Sequence, residues 1–271
     1  MELTPFWQLL TGLGMVSLLM AILWLIQRIK TDAGVVDVGW AGGVGILAIW
    51  FAATSGSEIP FNRRLMVGGL GAIWAFRLAA YLLFNRVLGK SHEDGRYQVL
   101  RAHFGSRAQL YFFWFFQAQS LLAVFFAVPF MVALHAPRAG VNGWSLWDIA
   151  GIVIWGLAVG GESLADAQLA GHRANPENRG KTCRAGLWNL SRHPNYFFEW
   201  LHWWAWVCFG FGHPLWVLSL CAPSLMLYFL LRVTGIPYTE AQALRSRGDD
   251  YRRYQEEVSM FFPWFPQSRH G

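Results

Sequence analysis

Seven long apolar segments run through this chain, and they constrain its fold more than any other feature. They lie at approximately residues 6–26, 33–53, 65–84, 109–134, 144–165, 193–212 and 214–234. Each is close to the roughly 20 mainly apolar residues that a helix needs to cross a bilayer. With 55% hydrophobic and only 14% charged residues, the whole chain has the composition of a membrane protein. We therefore predict an all-α, polytopic membrane protein with seven transmembrane helices.

The basic residues between these segments indicate an orientation, because Lys and Arg accumulate on the cytoplasmic side of membrane helices. With the N-terminus outside, 18 of the 22 Lys and Arg fall in the predicted cytoplasmic segments. We predict this orientation, which leaves the C-terminus in the cytoplasm. The first segment is too long for the apolar core of a secretory signal, so we expect it to be retained. No linker or internal repeat divides the chain, and a single domain is predicted over residues 1–271.

Several common kinds of site are not supported by the sequence. The three cysteines form no CxxC pair, and the ExxH pair of Glu199 and His202 has no second copy, so we expect neither a disulfide nor a metal site. The glycine-rich pieces at 42–45 and 68–71 lie inside apolar segments, where small residues serve helix packing and not phosphate binding. The net charge of +6 is explained by membrane orientation and an anion-binding face, so no nucleic-acid partner is expected.

Four of the apolar segments carry polar residues at helical spacing, which gives each predicted helix a polar face near its cytoplasmic side. These residues are Asp37 in the second segment, Trp74, Arg77, Tyr81 and Asn85 in the third, Glu162, Asp166 and Arg173 in the fifth, and Asn195, Glu199 and His202 in the sixth. Ionisable side chains are costly inside a membrane and usually mark a functional site. A structural ion pair for Arg77, or a helix-capping role for Asp37, is the alternative interpretation.

Two long stretches carry a resemblance to a known family, namely GLWNLSRHPNYFFEWLHWW and the tail TGIPYTEAQALRSRGDDYRRYQEEVSMFFPWFP. Together with VVDVGW, WAFRLAAYLLFNR and DAQLAGHR, they resemble the membrane steroid 5α-reductase family (3-oxo-5α-steroid 4-dehydrogenases), in particular its bacterial branch. The RHPNY motif is also similar to sterol reductases and isoprenylcysteine carboxyl methyltransferases. The charged faces of the second, third and fifth segments favour the reductase.

The resemblance implies NADPH-dependent reduction of the carbon–carbon double bond of a conjugated enone lipid. The expected reaction takes a 3-oxo-Δ4 steroid, or another enone lipid, to its 5α-dihydro product in a membrane-embedded pocket. It also implies a multi-pass protein of the bacterial inner membrane, surrounded by membrane lipid, with the cofactor site facing the cytoplasm. Two alternatives stay open: an S-adenosylmethionine-dependent carboxyl methyltransferase of the isoprenylcysteine type, and a sterol-binding membrane protein without catalysis.

The resemblance also implies roles for individual residues at the substrate carbonyl. Asp37 falls where the animal enzymes have a glutamate that contacts the 3-keto group. We expect Asp37 to lie among apolar neighbours that keep its carboxyl protonated, so that it donates a hydrogen bond as negative charge develops on the oxygen. Trp74 stands where those enzymes have a second keto-contacting tyrosine, and Tyr81 is the third catalytic candidate.

A larger set is implied to bind NADPH from the cytoplasmic side. It comprises Arg77, Tyr81, Asn85, Glu162, Asp166, Arg173, Arg184, Arg192, His193, Asn195, Tyr196, Glu199 and Arg232. Within this set we expect Arg192, His193 and Tyr196 to hold ribose and phosphates, and Asn195 and Glu199 to orient the nicotinamide. Arginine suits phosphates because its planar guanidinium binds them through two hydrogen bonds and stays charged.

Overall fold

The computed structural model describes residues 2–89, 92–137, 144–233 and 235–266, and in these ranges the protein contains helices and no strand. The α-helices are α1 (Pro5–Lys30), α2 (Val35–Thr54), α3 (Phe61–Leu82), α4 (Gly95–Phe104), α5 (Ala108–His135), α6 (Leu146–Ala174), α7 (Pro194–Gly210), α8 (Cys221–Tyr228), α9 (Ile236–Arg247) and α10 (Asp249–Glu257). π-Helical turns extend α3 over Leu83–Leu88 and α8 over Phe229–Val233. The predicted all-α class is confirmed.

Within the described ranges, six helical stretches are long and apolar enough to cross a membrane, which indicates an integral membrane protein. They are Pro5–Lys30, Val35–Thr54, Phe61–Leu88, Gly95–His135, Leu146–Ala174 and Trp216–Arg247. The remaining predicted segment forms α7, which has 17 residues and is shorter than these six. A seventh crossing and the outside position of the N-terminus stay predictions.

The chain divides into two compact units, of which the first contains Met1–Pro137 and Gly212–Leu218. In this unit α2 packs closely against α3, and glycines allow the close approach. A Cβ atom on Gly68 would lie 2.9 Å from the Cβ of Ala52, and one on Gly71 would lie 2.7 Å from the Cβ of Ala48. The prediction that the glycine-rich pieces serve helix packing is therefore confirmed for these two residues.

Partly buried polar contacts hold the short helix α4 in place within the first unit. Asp94 caps its N-terminus by accepting a hydrogen bond from the backbone N–H of Arg96 at 3.0 Å. Glu93 accepts from Arg101 at 2.7 Å and from the backbone N–H of Ala33 at 2.8 Å. The segment before α4 is therefore fixed against the start of α2.

The second unit contains Arg138–Phe211 and Ser219–Gly271, and α6 against α7 is its main helix pair. A capping box begins α6, because Ser145 and Asp148 each accept a hydrogen bond from the backbone N–H of the other. The small α9 and α10 follow α8, with Tyr251 and Tyr254 buried between them. Two compact units can belong to one domain, so the single domain stays a prediction.

Candidate functional site

Asp37, on the first turn of α2, accepts hydrogen bonds from two residues of α4. Arg96 Nη2 lies 2.9 Å from Asp37 Oδ2, and the Tyr97 hydroxyl donates to Asp37 Oδ1 over 2.7 Å. Arg86 adds a second guanidinium, whose Nη1 is 3.7 Å from Oδ2. Two guanidinium groups and a tyrosine hydroxyl therefore surround the carboxyl group of Asp37. The expectation that only apolar neighbours surround this carboxyl is wrong, and the role of Asp37 at a substrate carbonyl stays a prediction.

Arg96 and Tyr97 are the residues that sequence reasoning missed in this cluster. Arg96 is held on both sides, because its Nε also donates to Asp94 Oδ1 at 3.1 Å and its guanidinium lies 5.2 Å from the centre of the Tyr97 ring. The available signal was the run HEDGRY at 92–97, a charged stretch between two apolar segments. Its partner on α2 is 59 residues earlier in the chain, so spacing alone gave no indication of the contact.

The candidates on α3 lie on the side of the first unit where this helix meets α2. Trp74 is fully buried, and its ring stands at 90° to that of Trp40, with 6.5 Å between the ring centres. Tyr81 packs with Trp40 against a small cluster of buried residues. Asn85 is exposed in the π-helical turn, and its side chain donates to the carbonyl of Tyr81 at 2.9 Å. Because the regular α-helix ends before Asn85, the predicted spacing with Arg77 does not extend to it.

In the second unit, buried carboxylates follow the interface between α6 and α7. Glu162, Asp166 and Glu199 are only 5%, 6% and 8% exposed. Asn195 joins the two helices by donating to Asp166 Oδ1 at 3.2 Å, and one turn further along α7 the indole of Trp203 donates to Glu199 over 3.3 Å. The structure therefore brings together Asp166 and Asn195, as the predicted polar faces of these helices required.

The polar start of α7 binds mainly to the C-terminal helices. Glu240 on α9 accepts from Arg192 Nε at 2.7 Å and lies 3.2 Å from Nε2 of His193. Arg192 Nη1 also donates to the carbonyls of Gln255 and Val258 at the end of α10. Tyr196 meets Thr239 through their hydroxyls at 3.2 Å. These contacts give Arg192, His193 and Tyr196 a structural role, and their binding of ribose and phosphates stays a prediction.

A basic pocket of about 450 Å³ opens where α6 ends. It is lined by the last residues of α6, the following turn, Cys183 and the last residue of α9, and these are Leu169, His172, Arg173, Asn175, Pro176, Asn178, Arg179, Gly180, Lys181, Cys183 and Arg247. Four of these residues are Arg or Lys, and none is Asp or Glu. In the described ranges, no carboxylate forms a salt bridge with any of the four. An anion is therefore the ligand that this pocket suits.

The turn that carries the pocket is fixed by its own hydrogen bonds. Asn178 donates to the carbonyl of His172 at 3.1 Å, and the His172 ring lies 3.2 Å from the carbonyl of Lys181. Thr182 then donates its backbone N–H to Asp250 on α10 over 2.7 Å. The cations of the turn are exposed, but the backbone beneath them is held in place.

The pKa of the Cys183 thiol responds to the charges that line the basic pocket. Burial raises the pKa of its thiol, and the hydrogen bond from Ala185 and the charges of Arg173 and Arg247 oppose that rise. Two cations therefore act on the same point from α6 and α9, which are far apart in sequence. Sequence reasoning named Arg173 and Arg179 as phosphate contacts and missed Lys181 and Arg247.

Among the residues that the resemblance implies for NADPH, Arg173 is the one that lines the basic pocket, and Arg184 and Arg232 do not line it. Arg184 binds Glu257 on α10, and its guanidinium lies 5.2 Å from the centre of the Tyr254 ring. Arg232 is exposed in the π-helical turn after α8. In the described parts of the chain, no three His, Cys, Asp or Glu side chains group together as metal ligands would.

The relationship of the chain to known proteins rests on one family comparison. No curated protein and no solved structure matches the chain. A family model described as "Protein of unknown function (DUF1295)" matches residues 23–258, which is most of its length. That family is related to the steroid 5α-reductases, in agreement with the resemblance noted from the sequence motifs. The chain belongs to the DUF1295 family.

Proposed function

We propose that this protein is an NADPH-dependent reductase of a carbon–carbon double bond conjugated to a ketone in a membrane lipid, with a 3-oxo-Δ4 steroid as the leading substrate. The observation that carries the proposal is the basic pocket, with four cations, no lining carboxylate and a volume of about 450 Å³. A phosphate group fits such a pocket by charge and by size. NADPH carries three phosphates and, when bound, supplies the hydride.

The same observation weighs against the methyltransferase alternative. S-Adenosylmethionine has no phosphate and carries a positive sulfonium, which the four cations of the pocket would repel. The buried carboxylates of α6 and α7 would suit a sulfonium, but they also suit the amide of a nicotinamide. Asp166 and Glu199 are acceptors, and Asn195 offers both a donor and an acceptor.

The positions of the residues indicate which part of NADPH each of them would bind. We assign the phosphates to Arg173, Lys181 and Arg247, and we assign the nicotinamide amide to Asn195 and Glu199. Arg192 and His193 are left out of this set, because their side chains bind Glu240. In this proposal the cofactor enters from the cytoplasm.

Reduction and binding are tested together on protein purified in nanodiscs. We expect NADPH oxidation that depends on a 3-oxo-Δ4 steroid, and a product that is two mass units heavier. Transfer of deuterium from labelled NADPH to the steroid would identify the hydride donor. Native mass spectrometry on the same sample reports whether NADPH, S-adenosylmethionine or a lipid alone is retained. Retention of the methyl donor with no NADPH binding would refute the proposal.

Glu199 offers a second test within the proposed site. Glu199→Gln keeps an acceptor oxygen for the indole of Trp203 but removes the negative charge. Turnover should fall while NADPH affinity and thermal stability change little, since the phosphates lie at another site. Normal turnover in Glu199→Gln and in Glu199→Ala would remove Glu199 from the reaction.

A further inference from the structure

The indole N–H of Trp40 on α2 has no acceptor in the described parts of the chain, although its Nε1 atom is shielded from solvent. Buried donors are nearly always paired, so each exception calls for an explanation. Trp40 also lies inside an apolar helix that is long enough to cross the membrane, where bulk water is not at hand to complete its hydrogen bonding. A donor at this place is suited to an acceptor that arrives with a ligand.

The surroundings of Trp40 are aromatic and aliphatic. Its ring stands at 90° to that of Trp74 on α3 and at 88° to that of Phe126 on α5, with ring centres 6.5 Å and 5.3 Å away. Trp40 packs with Leu78 and Tyr81 against a small buried cluster. The ring faces and aliphatic side chains around Trp40 suit a ligand that is mainly apolar.

Trp40 follows Asp37 by three residues, so both side chains lie on one face of α2. Both carboxyl oxygens of Asp37 already accept hydrogen bonds from α4, one from Arg96 and the other from Tyr97. The neutral donor next to it on that face is the Trp40 indole. An indole N–H can donate to a carbonyl oxygen without placing a charge in an apolar site, and its ring provides a flat contact surface.

We propose that Trp40 binds the ketone oxygen of a lipid ligand through its indole N–H, between α2, α3 and α5 of the first unit. The inference rests on the proposed function for the identity of the ligand as a ketone-bearing lipid. It assigns ketone recognition to a residue that the motif resemblance did not single out. It also separates two tasks on α2, because Asp37 fixes α4 while Trp40 contacts the ligand.

The test uses a saturated lipid ketone, 5α-cholestan-3-one, and the matching hydrocarbon 5α-cholestane, neither of which has an enone to reduce. Binding to nanodisc-embedded protein is measured without NADPH. The wild type should bind the ketone about tenfold more tightly than the hydrocarbon, as expected for one hydrogen bond to a donor that otherwise stays unpaired. Trp40→Phe keeps an aromatic ring, removes the N–H and should bind the two lipids equally.

Trp204→Phe is the matched control, because the indole N–H of Trp204 is also shielded and has no acceptor among the described residues, but belongs to α7 in the second unit. It should keep the tenfold preference. If Trp40→Phe does not fold, Trp40→His, which retains a ring N–H, should keep a preference for the ketone.

The outcomes separate this inference from the proposed reaction. A ketone preference that persists in folded Trp40→Phe overturns the inference, and so does a folded Trp40→His that has lost it. A wild type that shows no preference also overturns it. The reductase proposal instead fails if NADPH and a 3-oxo-Δ4 steroid give no product, and this result leaves the binding comparison intact.

Discussion

Removing a cation from the basic pocket should weaken NADPH binding by an amount that the size of the pocket predicts. A sphere of about 450 Å³ has a radius of about 5 Å, so a phosphate at its centre lies about 5 Å from each cation. In water, one positive charge and a doubly charged phosphate at that distance attract each other by about 1.7 kcal/mol. Physiological salt reduces this to about 0.9 kcal/mol.

Arg247→Gln should therefore raise the Kd for NADPH about fivefold, and Arg247→Gln combined with Arg173→Gln should raise it about twentyfold. Arg245→Gln is the matched control, because Arg245 makes the same charge change on the same last turn of α9 but does not line the pocket. The effect should shrink as salt is added, since the contacts are solvent-exposed.

Titration of each variant with NADPH and with NADH, followed by fluorescence or calorimetry, measures the change. NADH lacks the 2′-phosphate, so its affinity should change less if this phosphate occupies the pocket. Equal effects of Arg247→Gln and Arg245→Gln would refute the assignment of the pocket to phosphate. A loss of affinity in Arg247→Gln that is unaffected by salt would refute the electrostatic account.

Three further outcomes are expected. Burial acts to raise the pKa of Asp250, but the hydrogen bonds from Thr182 outweigh it and lower that pKa. The charged form of Asp250 therefore stabilises the fold above the unfolded pKa of about 3.9. The difference in melting temperature between wild type and Asp250→Ala should be largest near neutral pH and should shrink as the pH falls through the lowered pKa. Burial raises the pKa of the Cys183 thiol, so Cys183 should react slowly with iodoacetamide at pH 7.5 and more slowly still when NADPH is bound. Mass spectrometry of a variant without the other two cysteines would measure both rates. Asp37→Leu should lower the free energy of unfolding by about 1–3 kcal/mol, because it leaves the Tyr97 hydroxyl without its acceptor, and addition of Tyr97→Phe should restore part of that loss in denaturant titrations.

The helices of this protein could be placed from the sequence because membrane-crossing helices need long apolar runs, and those runs are visible without any partner. The segment predicted at 33–53 is α2 at Val35–Thr54, and the segment predicted at 109–134 is α5 at Ala108–His135. The short helix α4 was missed because it is polar and is held by Asp94 and by distant contacts, not by hydrophobic periodicity.

The site residues were harder to assign, since their roles depend on partners far along the chain. Asp37 was expected to be a protonated donor because only its apolar sequence neighbours were known, and the structure adds Arg96 and Arg86. Arg192 is part of a conspicuous basic motif, but its partner Glu240 is 48 residues later. Arg247 lines the pocket because α9 ends beside the turn after α6, which the sequence gives no means to anticipate.

The contacts between the start of α7 and the C-terminal residues impose an order on the folding of this protein during its synthesis. The backbone N–H of Arg192 bonds the carbonyl of Ser259, and Trp264 bonds the carbonyl of Leu190. A ribosome makes the start of α7 long before it makes these partners, so the turn ahead of α7 stays incomplete until residues 259–264 have been made. Stop codons between residues 259 and 264 should therefore produce protein that is degraded, although the codons they remove encode none of the residues that line the basic pocket.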